Sequence, residues 1–596
     1  MAEATPAPVH GATLMAQTLR HLGVTTVFGI VGIPVVEVAD ACIAEGIRFI
    51  GFRNEQAASY AAGAWGFLTG QPGVCLVVSG PGVLHAIPGL ANAQANAWPM
   101  VLLGGSSPTS ERGRGAFQEW AQVEAVRPYT KYAAQPANLD RVPTMFQAAF
   151  RYAINGRPGA CYVDLPADLI QGAMSLGSEG TAELTMTALQ GLSPPTRTLT
   201  LADPVQINRA VDSLRRAQAP LVIVGKGAAY ARAETALTAF IDRTGFPFLP
   251  TSMGKGVLSD THPLCVGAAR SEALKDADVI LLLGARLNWL LHFGERFSST
   301  ATIIQVDVQA EELGHNRTVD IPLAGDVAAV LGQISSVWQS SPSKGGQDFG
   351  LYLDGLRARR ERNHATLARK AESSALPMTY HRAFRAIREA LDDVYDRVVL
   401  VGEGANTMDI ARSMFDLHSP RRRLDAGTLA TMGVGMGLAI AAQVHYGLDV
   451  PNEGRLAGQP PSPHQHHDRV VAIVGDSAFG FSAMEIETAA RTHLPLIVIV
   501  VNNNGIYHGF SDDEYHSRAA AHNLPSTALS PGTRYDLLGE ALGAQGFHAT
   551  TPEALHAAVR QAWDTTTRPS VINCCIEPGG QQKLEFNWMK SGKEIK

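Results

Sequence analysis

The chain has few cysteines, no long apolar run and no surplus of positive charge, and each shortage excludes a class of protein. Six cysteines are spread over 596 residues without a CxxC pair, which excludes a disulfide scaffold and a zinc knuckle and predicts packing thiols in a reducing compartment. No stretch of about 18 uncharged apolar residues is present, which excludes an ordinary membrane span. The net charge of −6 comes without a basic excess or a long basic run, so we expect no nucleic-acid partner.

Neither end of the sequence carries a targeting pattern that we can identify. The first residues, MAEATPAPVHGATL, lack the basic patch and apolar run of a signal peptide. The last residues, GKEIK, differ from the Ser-Lys-Leu type of peroxisomal address. We therefore expect a cytoplasmic location, with a peroxisomal one as the alternative that lacks this signal.

The composition and the apolar pattern favour a folded protein of several domains. Hydrophobic residues make up 45% of the chain and charged residues 17%, and 596 residues are too many for one core. Short β-branched runs alternate with helical patterns in three segments, which predicts an α/β fold of three doubly wound parallel-sheet domains. We predict domains at 1–178, 200–340 and 375–578, a linker within 173–203 and a C-terminal tail at 579–596.

The predicted strands are short apolar runs that end near glycine or polar residues. In the first segment the predicted strands lie at 26–30, 48–52, 74–79, 100–104 and 160–164. In the second they lie at 220–224, 279–283 and 303–306, and in the third at 398–401, 470–474, 496–501 and 570–576. A charged helix is predicted through 357–370. The Pro-rich segment 453–468 reads as a surface loop, although its three histidines could also bind a metal.

The strongest chemical signal is a Gly-Asp-Ser turn at the end of an apolar strand. Gly475 lets the backbone turn and expose the amides of the following helix, where a diphosphate can bind. Asp476 supplies a carboxylate oxygen, and Asn503 follows 503 − 476 = 27 positions later, at the end of the neighbouring predicted strand. Together with the Gly505 carbonyl, these oxygens can complete a magnesium site that also holds a diphosphate.

This arrangement resembles the GDG…NN signature of thiamine diphosphate enzymes. A second loop, 402–407, also follows a strand and opens a helix, so its amides can meet the diphosphate. The resemblance implies magnesium and thiamine diphosphate as cofactors. The cofactor-binding residues that it implies are Asn406, Thr407, Ala430, Met432, Gly475, Ser477, Ala478 and Tyr507.

A third loop, 427–433, resembles the segment that contacts the pyrimidine ring in this family. Met432 would be the apolar wedge that bends the cofactor, although ordinary packing is the alternative for a single methionine. Related sequences typically carry glycine where Ala430 stands. A backbone carbonyl contact survives that change, whereas a close approach to the ring is less favoured.

The N-terminal segment supplies a carboxylate at the end of another apolar strand. Glu55 precedes an Ala-rich helix, where a glutamate could simply cap the helix. The resemblance instead implies the activating glutamate, whose protonated carboxyl hydrogen-bonds a pyrimidine nitrogen and promotes proton removal from the thiazolium. Because such sites form across a subunit boundary, the resemblance also implies a homodimer or homotetramer.

Four segments narrow the resemblance to the branch that acts on acyl-coenzyme A substrates, which contains 2-hydroxyacyl-CoA lyases and oxalyl-CoA decarboxylases. They lie at 29–38, 79–93, 156–168 and 284–294. The decarboxylases carry a Tyr-Glu pair where this chain has Phe117-Gln118, and the lyases carry Phe-Gln. Phe117 offers apolar area for an acyl tail, although plain core packing is its alternative. Ile33 stands in a Gly-Ile-Pro turn that replaces the corresponding loop of acetolactate synthases.

The resemblance implies a lyase that cleaves a 2-hydroxyacyl-CoA to formyl-CoA and an aldehyde, with Glu55, Phe117, Gln118 and Ile33 at the reacting centre. The alternatives are an oxalyl-CoA decarboxylase and a catalytically silent cofactor-binding homologue. Coenzyme A is expected to enter between the middle and C-terminal domains, with 583–588 either closing over it or packing as a staple. The charged residues of a potential ADP site, which could equally be surface charges, are Lys226, Arg286 and Asp307.

Overall fold

The computed structural model describes residues 9–174, 189, 191–340, 349–448 and 468–579. Three parallel sheets organise these residues, and helices cover both faces of each sheet. The predicted fold class is therefore confirmed. The histidines of the Pro-rich loop, about half of the predicted linker and the C-terminal segment with the candidate lid lie outside the described residues.

The first sheet contains six parallel strands in the order β3-β2-β4-β5-β7-β6. Its central strands β4 and β7 are buried along their whole length, as continuous apolar runs in parallel sheets are. A separate antiparallel pair joins β1 to β8. The strands are β1 (Val9–His10), β2 (Thr26–Gly29), β3 (Arg48–Gly51), β4 (Gly73–Val77), β5 (Met100–Ser106), β6 (Tyr132–Ala134), β7 (Ala160–Pro166) and β8 (Ala173–Met174).

The second and third sheets repeat this architecture. The middle sheet has the order β10-β9-β11-β12-β13, and the C-terminal sheet the order β15-β14-β16-β17-β19-β18. The middle strands are β9 (Pro220–Val224), β10 (Phe248–Pro250), β11 (Val279–Leu283), β12 (Thr302–Asp307) and β13 (Ile321–Ala324). The C-terminal strands are β14 (Val398–Glu403), β15 (Arg423–Asp425), β16 (Arg469–Gly475), β17 (Ile497–Asn502), β18 (Gln545–Ala549) and β19 (Ser570–Cys575).

Helices fill the connections between parallel strands and flank the sheets. In the N-terminal region they are α1 (Gly11–His21), α2 (Val36–Ala44), α3 (Glu55–Thr69), α4 (Pro81–Asn96), α5 (Gln122–Val126), α6 (Val142–Ile154) and α7 (Ala167–Gln171). In the middle region they are α8 (Pro204–Arg216), α9 (Lys226–Tyr230), α10 (Glu234–Thr244), α11 (Arg270–Asp276), α12 (Val327–Ser340) and α13 (Gly350–Ala371). In the C-terminal region they are α14 (Tyr380–Ala390), α15 (Ala405–Met414), α16 (Gly435–Gln443), α17 (Asp476–Gly480), α18 (Glu485–Arg491), α19 (Asp512–Ala520), α20 (Tyr535–Ala541) and α21 (Pro552–Asp564).

The sequence predicted one of the six edge strands of the three sheets, β3. Apart from the short β1 and β8, the strands that it did not predict are the other five edge strands. They are β6, β10, β13, β15 and β18. An edge strand pairs on one side only, so it is short or alternates between buried and exposed residues instead of forming an apolar run. Strand β13, for example, alternates buried and exposed residues. The predicted central strands are all present, with ends shifted by one or two residues.

The N-terminal and C-terminal regions of the same chain pack closely through two helices. Helix α3, which begins at Glu55, lies against α16, and a Cβ added at Gly437 would lie 2.5 Å from the Ala57 carbonyl oxygen. This approach fixes where the helix that starts at Glu55 sits relative to the C-terminal sheet. All six cysteines are unpaired and five are buried, as packing residues would be. Across the described ranges, no helix combines the length and apolarity that a membrane crossing requires.

Candidate active site

The predicted diphosphate and metal residues follow three neighbouring parallel strands of the C-terminal sheet. In the register of that sheet, Glu403 of β14 pairs with Val474 of β16, and Gly475 of β16 pairs with Val501 of β17. Parallel strands end at one edge of a sheet, where ligands of open α/β sheets bind. The loops after these three strands therefore meet at one place.

The Asp476 carboxylate lies buried at the centre of this edge. It accepts hydrogen bonds from the amides of Ser477 at 2.7 Å and of Asn503 and Gly505, each at 3.2 Å. Burial raises the pKa of Asp476 to about 6, against the lowering effect of these amides. A divalent cation at this carboxylate would stabilise its ionised form.

The donor set fits magnesium better than a softer metal. In the parts of the chain that the structure describes, no group of three or more His, Cys, Asp or Glu side chains could hold a metal ion. One carboxylate with amide and carbonyl oxygens leaves other positions to water or phosphate oxygens, which is how magnesium is usually bound. Asn503 is buried beside Asp476, and its side-chain oxygen accepts from the Gly505 amide at 3.2 Å.

Two glycines make the backbone cradle beside this carboxylate. Gly404 has φ +96°, and a Cβ added there would lie 3.2 Å from the Gly475 amide nitrogen. The N-cap residues of α15 and α17 are Gly404 and Gly475, which have no side chain to cap the helices. The Ser477 amide donates to Asp476, and no N-cap side chain uses the other amides that face the cradle. This arrangement fits a diphosphate group between the two loops.

The remaining predicted diphosphate residues surround the same cradle. Asn406 donates to the Tyr507 carbonyl at 3.1 Å, and Thr407 is buried in the first turn of α15. Ser477 and Ala478 lie in the first turn of α17. Tyr507 has φ +76°, a conformation that costs a bulky residue energy and is concentrated at functional sites.

A buried carboxylate that the sequence did not predict holds the end of the loop 427–433 through backbone amides. Glu403 is buried and accepts the amides of Gly433, Val434 at 3.2 Å and Gly435 at 2.7 Å. Burial raises its pKa to about 7. Half-buried Met432 directly precedes these three amides, so Glu403 fixes the backbone that carries the predicted wedge.

Ala430 has φ +55°, a left-handed conformation that glycine adopts without steric cost. The left-handed conformation costs a residue with a Cβ about 1 kcal/mol. Hydrogen bonds from two other regions hold the neighbouring Thr428. Its amide donates to Asn96 of α4 at 2.9 Å, and Arg286 donates to its hydroxyl at 2.9 Å.

At the N-terminal sheet, Glu55 is the first residue of α3, but the helix cap is its neighbour. The Asn54 side chain accepts the Gln56 amide at 2.8 Å, so the Glu55 carboxyl is not needed as a cap. Glu55 instead faces His85 of α4, with 3.3 Å between Oε2 and Nδ1. The sequence did not single out His85.

The predicted Phe117-Gln118 pair lies on a tightly constrained turn. Gln118 has φ +54°, and its carbonyl lies where a Cβ on Gly80 would be. Glu119 closes the turn by accepting the amides of Gly113, Gly115 at 2.9 Å and Ala116 at 3.0 Å. A backbone conformation that disfavours a side chain is often found at functional sites.

The two apolar candidates of this region are on the surface of the single chain. Phe117 is 72% exposed and Ile33 is 73% exposed. Phe117 therefore does not pack in the core of its own subunit. Both side chains are therefore accessible to a ligand or a partner.

A cavity of about 850 Å³ separates the middle and C-terminal domains. Its charged lining residues are Lys255, Arg270, Arg360 and Arg412 together with Asp260, Asp409 and Asp416. Lys255 pairs with Asp260 and Arg412 with Asp409, whereas Arg270 and Arg360 donate to backbone carbonyls. Burial lowers the pKa of Arg270 to about 10, which leaves it charged at neutral pH. Ala430 of the loop 427–433 also lines this cavity, so the cavity reaches the predicted pyrimidine contact.

A second cavity of about 90 Å³ lies between the N-terminal and middle domains. It contains the three residues predicted for a nucleotide site, Lys226, Arg286 and Asp307. Lys226 is not a surface charge, because burial lowers its pKa well below the ordinary range and its ammonium group donates to Asn96 at 2.7 Å.

The chain matches known proteins over nearly its whole length. Models of thiamine pyrophosphate enzymes match at residues 9–125 (N-terminal TPP binding domain), 207–334 (central domain) and 402–574 (C-terminal TPP binding domain). Mouse 2-hydroxyacyl-CoA lyase 1 is 45% identical, over 98% of this chain and 96% of the relative. A Saccharomyces cerevisiae 2-hydroxyacyl-CoA lyase is 41% identical, over 96% and 97%. Escherichia coli oxalyl-CoA decarboxylase is 39% identical, over 95% of each chain. The chain therefore belongs to the thiamine pyrophosphate enzymes, in the branch that includes the 2-hydroxyacyl-CoA lyases and the oxalyl-CoA decarboxylases.

Proposed function

We propose that this protein is a carbon–carbon lyase that cleaves a 2-hydroxyacyl-CoA into formyl-CoA and an aldehyde, with thiamine diphosphate and magnesium as cofactors. The observation that carries the proposal is the 850 Å³ cavity, which is lined by Arg270 and Arg360 and reaches Ala430 of the cofactor loop. A coenzyme A phosphate end would bind the arginines while the thioester extends toward the cofactor. The reverse condensation would use the same groups.

The residues described above would hold the cofactors in these ways. Asp476, Asn503 and Gly505 would bind magnesium. Asn406, Thr407, Gly475, Ser477, Ala478 and Tyr507 would surround the diphosphate, with Ala430 and Met432 against the pyrimidine ring. Bound thiamine diphosphate supplies a nucleophilic carbon and an electron sink for the bond next to the thioester carbonyl.

The chain's own residues would then position the proton transfers and the substrate. The Glu55 carboxyl would hold a proton on the pyrimidine ring. Gln118 would hydrogen-bond the 2-hydroxyl group, with Ile33 and Phe117 against the acyl tail. Because both apolar side chains are largely exposed in the single chain, tail binding would remove them from water, and such burial is favourable.

We propose a homodimer or homotetramer in which a second copy completes the site. The C-terminal region has its own exposed apolar side chains beside the cofactor loops, namely Leu429, Phe481, Met484 and Ile506. Exposed apolar groups on both halves, Ile33 and Phe117 on one and these four on the other, support burial between subunits. The domain limits 1–178, 200–340 and 375–578 and a cytoplasmic location belong to the same proposal.

ADP binding in the 90 Å³ cavity is a separate proposal. Arg157 and Arg286 supply cationic groups there, and Asp307 ends β12, where a ribose hydroxyl would be bound. We expect calorimetric titration of the holoenzyme to give saturable ADP binding that Arg157→Ala weakens at least about tenfold, since a charged hydrogen bond is lost. Arg209→Ala, which changes an exposed arginine, is the control. Equal binding to wild type and Arg157→Ala would remove the site from this cavity.

The oxalyl-CoA decarboxylase alternative shares the cofactor residues and differs in its product. Incubation with magnesium, thiamine diphosphate and 2-hydroxyacyl-CoAs should release formyl-CoA and an aldehyde, detected by mass spectrometry. Oxalyl-CoA in a parallel reaction should yield carbon dioxide only slowly. A preference for oxalyl-CoA would favour the decarboxylase, and no product from either substrate would favour a silent homologue. Enzyme stripped of cofactor is the control.

A further inference from the structure

Helix α18 begins with Glu485, whose carboxylate hydrogen-bonds mainly to the backbone of the N-terminal domain. Glu485 is 0% exposed, and both of its oxygens lie 3.2 Å from the Arg53 amide. The Asn54 amide also donates to it, and the Thr488 hydroxyl donates at 2.7 Å. A buried carboxylate that is satisfied mainly by backbone amides fixes that backbone strongly.

The same helix holds this backbone at two further points. Arg491 donates to the Gly51 carbonyl at 2.5 Å, and Glu487 lies 3.8 Å from the Arg53 guanidinium. These contacts hold the backbone of residues 51–54 in place, and Glu55 is the next residue. The direction in which α3 starts, and with it the Glu55 side chain, therefore depends on α18.

Helix α18 also lies close to the predicted metal turn in the sequence. Glu485 follows Asp476 by 485 − 476 = 9 positions, and only α17 and a short connection separate them. The segment 476–485 therefore begins at Asp476, the predicted metal ligand, and ends at Glu485, which binds the backbone directly before Glu55.

We propose that Glu485 is a positioning residue that sets the Glu55 carboxyl in its working orientation by binding the amides of Arg53 and Asn54. This inference rests on the proposed function, because Glu485 affects the reaction only through the role proposed there for Glu55. Glu485 touches no substrate atom in this scheme. Its removal should change how efficiently Glu55 acts and should leave cofactor binding largely intact.

The test compares Glu485→Gln with Glu389→Gln in the holoenzyme. The amide keeps the size of Glu485 but puts a second donor against the Arg53 amide, so the turn should shift. We expect hydrogen–deuterium exchange at the thiazolium carbon to slow about tenfold to a hundredfold, as for a misplaced catalytic group. Thiamine diphosphate affinity should change less than about threefold. Glu389→Gln alters an exposed pair on α14 that does not contact residues 51–54 and should leave exchange within about twofold of wild type.

A double variant separates positioning from a general structural role. If Glu485 acts through Glu55, adding Glu485→Gln to Glu55→Gln should slow exchange no further, because residues of one unit are not additive. Wild-type exchange in Glu485→Gln, or an equal slowing in both backgrounds, overturns the inference. Wild-type exchange in Glu55→Gln itself would instead overturn the role that the proposed function gives to Glu55.

A second variant covers the case in which Glu485→Gln does not fold. Thr488→Val removes the 2.7 Å donor to the carboxylate without altering Glu485 itself. Exchange in that holoenzyme should also slow, although less than in Glu485→Gln. A folded Thr488→Val holoenzyme with wild-type exchange would count against the positioning role.

Discussion

Replacing Glu55 with glutamine is expected to leave thiamine diphosphate bound while slowing proton exchange at its thiazolium carbon by about a hundredfold or more. The amide cannot share a proton with the pyrimidine nitrogen as a carboxyl group does. Because Asn54 caps α3, the helix should not lose its cap. Exchange is measured by quenching the holoenzyme in acid after deuterium labelling and recording the proton spectrum. Substrate turnover should fall by a similar factor.

Asp476→Ala should instead weaken cofactor binding and leave proton exchange nearly unchanged, so it is compared with Glu55→Gln. It removes an anionic ligand from a site crowded with phosphate oxygens, so magnesium and diphosphate affinity should fall. Exchange should return to near the wild-type rate when the cofactors are saturating. Glu37→Gln, an exposed position on α2, is the neutral control. Wild-type exchange in Glu55→Gln would show that another group activates the cofactor.

The sequence was sufficient for the parts of this protein that depend on local pattern. Apolar runs between glycines predicted the central strands, because buried parallel strands carry a continuous signal. The Gly475-Asp476 turn and Asn503 could be connected from their spacing alone, since neighbouring parallel strands end at one edge. The structure brings these residues together, and Asp476 accepts the Asn503 amide at 3.2 Å.

The sequence was insufficient where a side chain acts on a distant backbone. Glu403 binds amides about 30 positions away, and Glu485 binds an amide 432 positions away. Both carboxylates follow or lie within apolar stretches, which was a usable signal, because an ionisable residue amid buried neighbours needs partners. The identity of those partners depends on tertiary packing and not on any spacing in the chain.

The choice between the two substrate classes depends on the turn that carries Phe117 and Gln118. The double change Phe117→Tyr with Gln118→Glu is expected to shift preference from 2-hydroxyacyl-CoAs toward oxalyl-CoA. In the wild type the charged end of oxalyl-CoA would meet Phe117 without compensating donors. An unpaired polar or charged group costs about 2–4 kcal/mol, a factor of about 30 to 1000 in kcat/KM.

Both substitutions preserve size closely, and Glu119 continues to close the turn through the amides of Gly115 and Ala116. Gln118 keeps φ +54° whether its side chain ends in an amide or a carboxyl group, so the backbone should not move. The measurement is the ratio of kcat/KM for the two substrates in the wild type and in the double variant. Trp120→Phe, on the same exposed segment, is the matched control and should leave the ratio within about threefold of wild type.

An unchanged ratio in the double variant would mean that specificity is set elsewhere in the site. A wild type that already prefers oxalyl-CoA would reverse the assignment of the reaction, while the roles of Glu55 and Asp476 would stand, because both reactions break a bond next to the same thioester carbonyl.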